Sequence, residues 1–387
     1  MKITFVGKYP PIVGGESTKL YWLAKKLGEK GHECSIVSDC QEREDKAILN
    51  LEDLNYLQPK NVNLYSTSLV SLEMNERQFK TERLADLSIK AVGKKDSDLI
   101  IGWYLLPYGS AASIASQYTG KDYILQHAGS DMKNFFGSQN LKSFLLNQFA
   151  SARSIMSYPS YFNAFSKGKE NVFFHNPKID QKGFEECPEF NRPDYLQNRK
   201  LITFLGKISE SKGALDLLNA YCLMGESKEY TLVYIGEGKI KKDLQKIVNE
   251  RNLQNVFFLS PVPTWRVPGI LRLSDVFFLG ERGFYVKNHF SRKGIEAMLC
   301  RSPLIISYEM KNKGAYTKLI DGENCIGVDP RDTKQLSGKL KQLLGDESFS
   351  ENVRRRGYEF ACQSNKDFDS YVDNVENYLK EISSNNK

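Results

Sequence analysis

The chain has 387 residues, 41% of them hydrophobic and 26% charged, with a formal charge of +7. This length and balance predict about two globular domains and exclude a disordered chain, a collagen-like fibre and a disulfide-built miniprotein. Residues 1–190 carry 23 Lys+Arg against 22 Asp+Glu and the remainder 31 against 25, an excess that suits a polyanionic small molecule rather than nucleic acid.

The chain opens with a short apolar strand, residues 3–6, too short for a signal peptide. A glycine-bearing loop follows (Gly14, Gly15), then a helical pattern with Leu20, Leu23, Ala24 and Leu27 on one face and Lys25, Lys26 and Lys30 on the other. Gly31 and His32 end that helix, and Cys34–Ser38 reads as the next strand. Strand, loop, helix and strand of this length make a βαβ unit and imply a parallel sheet. Further strands are predicted at Leu99–Trp103, Tyr123–Gln126, Ser154–Ser157 and Val172–His175. Apolar runs such as Leu99–Leu106 fall short of the roughly 18–20 residues of a membrane span. Residues 180–200 are polar, carry prolines, lack periodicity and read as a linker.

The βα rhythm restarts at Leu201–Leu205. A polar loop (Gly206–Gly213), a helix (Ala214–Cys222), a strand (Tyr230–Ile235), the turn Gly236-Glu237-Gly238 and a helix (Lys242–Asn249) follow. Strands are predicted at Val256–Leu259, Val276–Leu279 and Leu304–Ser307, and Asp367–Ile382 has apolar residues at helical spacing. The domains are therefore expected at 1–182, with a linker at 183–200, and at 201–365, with a final helix at 366–387. Seven scattered cysteines without a CxxC pair predict neither a disulfide framework nor a structural zinc site and fit a reducing cytoplasm.

Three loops carry candidate chemistry. Gly14-Gly15 lets backbone N–H groups approach a phosphate beside a helix start, although it lacks the GxGxxG dinucleotide pattern. Gly206–Gly213 brackets a tight loop with Lys207 and Lys212, two point charges able to hold a diphosphate, without being a Walker A loop. Asn288-His289-Phe290-Ser291 leads into a helix carrying Glu296, with Ser291 as candidate cap and Glu296 placed to accept from ribose hydroxyls. Each has a plainer structural reading: a turn needing positive φ, solvated lysines, and a glutamate complementing a helix dipole. Asp96-Ser97-Asp98 matches a DxD metal motif but precedes a strand, and the histidines at 32, 127, 175 and 289 lack metal-site spacing. Trp103, Tyr104 and Tyr108 are candidates for stacking on a sugar or for the core.

Taken together these segments resemble the retaining GT-B glycosyltransferases of family GT4, the EX7E-bearing group. GGES…LAKKLGEKGHECSIV resembles GG-x-E…LA-x-x-L-x-x-x-GH-x-V, and the stretch IIGWYLLPYG…YILQHAGSD resembles the acceptor-domain core. FLGKISESKGALDLLNA resembles GR-x-x-x-x-KG-x-x-x-L-x-x-A, IEAMLCRSPLIIS resembles EA-x-x-x-G-x-P-V-I-x-S, and LIDGENCIGVDPRDTKQL resembles the closing signature. The resemblance covers nearly the whole chain in order. It implies an α/β, GT-B fold: an N-terminal acceptor-binding and a C-terminal nucleotide-sugar-binding Rossmann-like domain face a cleft, and the last helix crosses back to the first domain.

The implied reaction moves a sugar from a nucleotide-diphosphate donor, UDP-sugar favoured, to an acceptor hydroxyl with retention, in glycan or glycoconjugate synthesis. Gly14, Gly15 and Gly206 would face the donor phosphate and sugar. His127 would contact the donor sugar, Lys207 and Lys212 would clamp the diphosphate, and Glu296 would bind the ribose, beside the loop of Asn288, His289, Phe290 and Ser291. Counting back from Glu296 puts Asn288 at the first EX7E glutamate, and Glu281-Arg282-Gly283-Phe284 is the alternative, at the cost of a seven-residue insertion. No cofactor or metal is implied. A cytoplasmic protein is expected, with peripheral contact to the inner membrane face left open and the oligomeric state unassigned. A nucleotide-sugar epimerase of the same fold and a non-catalytic nucleotide-sugar-binding subunit are the rival readings.

Overall fold

A computed structural model describes residues 1–39, 58–66, 79–129, 131, 132, 137–159, 168–193, 196, 198–225, 228–283 and 290–384. The chain divides into two compact units, Met1–Lys178 with Asp367–Lys387, and Ile179–Lys366.

Unit 1 is built on β1 (Lys2–Gly7), β2 (Glu33–Ser38), β3 (Val62–Ser66), β4 (Leu99–Trp103), β5 (Tyr123–Gln126), β6 (Ser154–Ser157) and β7 (Val172–Phe174). The strands form one parallel sheet in the order β3-β2-β1-β4-β5-β6-β7. Phe5 of β1 stands opposite Ile36 on one side and Ile101 on the other. Helices cover both faces of such a sheet, so its central strands read as unbroken apolar runs. The helices include α1 (Gly15–Glu29), α2 (Lys80–Lys95), α3 (Ser110–Thr119) and α4 (Gln139–Ser151). The α1 stripe Leu20, Leu23, Ala24 and Leu27 is buried, as its spacing predicts.

Unit 2 repeats the plan with β8 (Lys200–Leu205), β9 (Tyr230–Ile235), β10 (Val256–Leu259), β11 (Val276–Leu279), β12 (Leu304–Ser307) and β13 (Ile326–Val328), in the order β10-β9-β8-β11-β12-β13, again parallel. Its helices are α5 (Gln181–Glu185), α6 (Ala214–Met224), α7 (Lys241–Glu250), α8 (Val267–Arg272), α9 (Lys293–Leu299), α10 (Tyr308–Lys311), α11 (Thr333–Gly345) and α12 (Glu347–Ser364). The segment expected as a linker is part of this unit. Asp180 caps α5 by accepting from the Gly183 N–H at 2.9 Å, and Phe184 and Leu196 are buried. The Arg272 guanidinium donates to the carbonyls of Phe184, Cys187 and Pro188. A segment held by its carbonyls needs no apolar periodicity, which is why its composition resembles a free linker.

The last helix, α13 (Phe368–Ser384), belongs to unit 1. Phe368, Tyr371, Val372, Val375, Leu379 and Ile382 are its buried stripe. Its polar side meets α1: Lys30 Nζ lies 2.6 Å from Asp373 and 2.9 Å from Glu376, and Lys26 Nζ 3.9 Å from Asp369. Lys26 and Lys30, expected on a solvated face, therefore face α13. Glu376 also meets His32 Nε2 at 3.0 Å, and Lys30, Lys380 and His32 together pull its carboxyl down to about 2 from 4.5. Because the folded value is the lower one, this contribution is present above about pH 4.5 and is lost as pH falls toward 2. We expect protection from hydrogen exchange in 368–384, taken relative to the intrinsic amide rate, to fall over that acid range, and Glu376→Gln to show the lower protection already at neutral pH; equal protection in both proteins would disprove the clamp.

Candidate active site

In doubly wound sheets, ligands gather beyond the strands' carboxyl ends where the strand order reverses. In unit 2 that point lies between β8 and β11. Three loops converge there. Gly206, at φ +138°, opens the loop after β8 and donates its N–H to the Ile235 carbonyl at 2.9 Å. The turn after β9 presses backbone to backbone against it: a Cβ on Gly236 would stand 2.0 Å from the Gly206 carbonyl oxygen, and one on Gly238 1.9 Å from that of Ile208. Gly213, at φ +74°, leaves 2.6 Å between a Cβ position and the Gly280 carbonyl oxygen of the loop after β11.

The β8 and β11 loops are joined by charge as well. The Arg282 N–H donates to the Ser211 carbonyl at 2.8 Å, and its guanidinium holds Asp216 of α6 through Nε at 2.7 Å and Nη2 at 3.1 Å. Lys212 Nζ sits 2.5 Å from Glu281 Oε1. The glutamate side chain is 3% exposed and the lysine 23%, so an ammonium at the surface covers a buried carboxylate. Lys207 is exposed on the same loop.

Beyond β11 the outcome is mixed. Glu296 is buried in α9, with its Oε2 2.7 Å from Lys293 Nζ. Ser291 is not the cap expected: Arg292 holds that position, and the Ser291 carbonyl instead accepts from the Tyr316 hydroxyl at 2.6 Å. The same hydroxyl accepts the Ile295 N–H at 3.1 Å, so Tyr316 satisfies the helix start that a serine was expected to serve. The Phe290 ring lies 4.6 Å from the Tyr316 ring. Asn288 and His289 lie outside the described residues.

In unit 1, Gly14 takes φ +146° just before α1 and is exposed with Gly15, as a backbone contact to a ligand requires. Behind them Glu16 accepts from Trp103 Nε1 at 3.2 Å and from Lys19 Nζ at 2.5 Å, and Lys19 also donates to the Tyr158 hydroxyl at 2.8 Å. His127, expected beside a donor sugar, is buried, with Nε2 3.1 Å from Ser157 Oγ, and burial pulls its pKa down to about 4. Asp131 ties the following loop by accepting from the N–H groups of Leu105, Ala128 and Met132; burial nevertheless pushes its carboxyl up to about 7. Trp103 and Tyr108 are core residues, and Tyr104 stays partly exposed.

The DxD match serves the fold. Asp98 accepts from the Lys2 N–H, Ser97 pairs with Thr4, and Asp96 pairs with Lys121 before β4 begins. Among the described residues no group of three or more His, Cys, Asp or Glu is placed to hold a metal ion. None of their helices is long and apolar enough to cross a membrane.

Comparison with known proteins agrees with this fold. HepE of Anabaena, solved with UDP and glucose, superposes with a TM-score of 0.67 at 18% identity, over 98% of this chain and all of that one. Sucrose-phosphate synthase of Thermosynechococcus elongatus gives 0.67 at 15% identity over 99% of both chains. An uncharacterised glycosyltransferase of Methanocaldococcus jannaschii, MJ1178, is 20% identical over 93% of both chains. The protein is a glycosyltransferase of the GT-B fold. Residues 189–360, within unit 2, match the family model described as glycosyl transferases group 1.

Proposed function

We propose that the protein transfers a sugar from a UDP-sugar to an acceptor hydroxyl with retention at the anomeric carbon, without a metal, in glycan or glycoconjugate synthesis on the cytoplasmic side of the cell. The observation that carries the reading is the Lys212–Glu281 pair at the β8/β11 switch point. Departure of a diphosphate leaves an oxocarbenium-like carbon, and the protein lowers that barrier by neutralising the charge that develops on phosphate. Lys207 and Lys212 supply that charge from one loop. Glu281 takes the part of the first EX7E glutamate in place of Asn288, and fixes the Lys212 ammonium while offering a carboxylate to donor hydroxyls. Glu296, oriented by Lys293, is the ribose partner. The sugar C1–O bond to the diphosphate breaks, the acceptor oxygen bonds to C1, and the acceptor proton leaves with the phosphate.

The reading is tested by incubating the protein with UDP-glucose and measuring released UDP. Slow release without an acceptor and faster release with one are expected; binding without any release would favour a non-catalytic subunit. Dialysis against EDTA is expected to leave turnover unchanged. Loss of turnover that Mg²⁺ or Mn²⁺ restores would show that a metal replaces lysine in charge neutralisation.

A further inference from the structure

Unit 2 contains a cavity of about 600 Å³ at the opposite edge of its sheet from the loops above, beside residues 274–275 that lead into β11 and residues 299–301 that end α9. Its volume lies in the range of small-molecule sites. Four arginines line it, against three carboxylates. Arg192 and Arg272 are spent on backbone carbonyls and build the wall. Arg301 and Arg354 are different. The Arg301 guanidinium carbon lies 4.0 Å from the centre of the Tyr358 ring, a cation–π contact that uses the face of the guanidinium's charge and does not consume its N–H donors. Arg354 gives one nitrogen to Glu351 at 3.1 Å, while its buried Nε has no hydrogen-bond partner. All three carboxylates are engaged, Asp275 by the Leu201 N–H, Glu351 by Arg354 and Glu185 by the Gln181 amide at 3.1 Å.

The backbone at Arg301 points the same way. The residue closes α9 with the paired bonds of a glycine cap: its N–H donates to the Met298 carbonyl and that of Ser302 to the Ala297 carbonyl. It does so at φ +58°. Among the described non-glycine residues at positive φ, all but Tyr104 and Arg301 are Asn or Asp, which tolerate that region. The pattern EA-x-x-x-G-x-P quoted above has glycine at this position. A long cationic side chain therefore occupies a turn that favours glycine, and it lines the cavity.

We propose that this cavity is a second binding site, separate from the donor site, that takes a phosphoryl group through Arg301 and Arg354. Guanidinium groups bind phosphate oxygens in paired, charge-assisted bonds, and the volume leaves room for a sugar ring attached to the phosphate. The full chain is titrated calorimetrically with glucose 6-phosphate and with inorganic phosphate, each with and without saturating UDP. Saturable binding that UDP does not displace is expected, weakened about tenfold or more by Arg301→Gly and by Arg354→Gln. Tighter binding of glucose 6-phosphate identifies a phosphorylated sugar as the occupant, and equal binding identifies free phosphate. Arg301→Gly relaxes the left-handed turn, so its Tm should hold or rise and its loss of binding is not a loss of fold. Absence of saturable binding, full binding by folded Arg301→Gly, or displacement by UDP would each overturn the proposal. None of these outcomes depends on the donor turnover measured above.

Discussion

Lys212→Ala is expected to lower kcat/KM for the nucleotide-sugar by about one to two orders of magnitude and also to destabilise unit 2. The first effect follows from a charge-assisted hydrogen bond to phosphate, roughly 1.5–3 kcal/mol, at about 1.4 kcal/mol per factor of ten. The second follows from Glu281. A lysine in a surface loop alone carries little stability, which is what the sequence suggests for Lys212. The structure sets it over a carboxylate that is 3% exposed, and removing it leaves that charge buried without its ammonium. A fully buried pair loses roughly 3–5 kcal/mol in this way; with the lysine 23% exposed, about 1–3 kcal/mol is the fitting range. Adding Glu281→Gln to Lys212→Ala should restore much of the Tm without restoring turnover. Lys246→Ala, on an exposed face of α7, is the control and should change neither. Full turnover in folded Lys212→Ala would remove the donor site from this loop.

Gly238→Ala is expected to cost about 2–3 kcal/mol of stability, the upper part of the range for overpacking, and to weaken UDP binding as well. The added methyl would stand 1.9 Å from the Ile208 carbonyl oxygen, which is backbone and has no rotamer to escape into. The loop carrying Lys207 and Lys212 must then shift. The Ile208 N–H that donates to the Glu237 carbonyl at 2.9 Å shifts with it. Chemical denaturation and UDP titration of the same preparation test both halves. Gly338→Ala, at a glycine with open space around its Cβ position, is the matched control. Wild-type stability in Gly238→Ala would mean that the two loops are not in contact.

The central strands were legible because both faces of a parallel sheet are buried: β4 and β11 carry no polar side chain, and β1 and β8 are interrupted only by a threonine after a leading lysine. The edges were not. β3 (Val62–Ser66) is only half-buried and includes Asn63, and β13 has three residues, too few to show any period. The same contrast runs through the site. Lys212 and Glu281 could each be picked out, by loop position and by family resemblance, but their pairing could not. Counting eight residues back from Glu296 assumes a loop of standard length. Glu281 stands fifteen residues before Glu296, and only the meeting of two loops in space brings it to Lys212. Asp216 and Arg282, separated by 66 positions, left no local signal for the same reason. His127 shows the ambiguity from the other side: a histidine after a strand is compatible with a ligand contact and with a buried hydroxyl partner, and its Nε2 lies 3.1 Å from Ser157 Oγ.

The division of the chain also sets an order on its synthesis. A ribosome delivers β1 to β7 first, then every residue of unit 2, and only then α13. Until that moment the α1 surface around Lys26, Lys30 and His32 has no helix to meet, although the sheet beneath it is complete. The nascent N-terminal half therefore spends the whole of unit 2's translation with an apolar seat for Val372, Val375 and Leu379 still vacant, a surface that chaperones recognise. A premature stop before residue 368 would leave unit 2 whole and damage unit 1, the half of the protein farthest from the mutation in sequence.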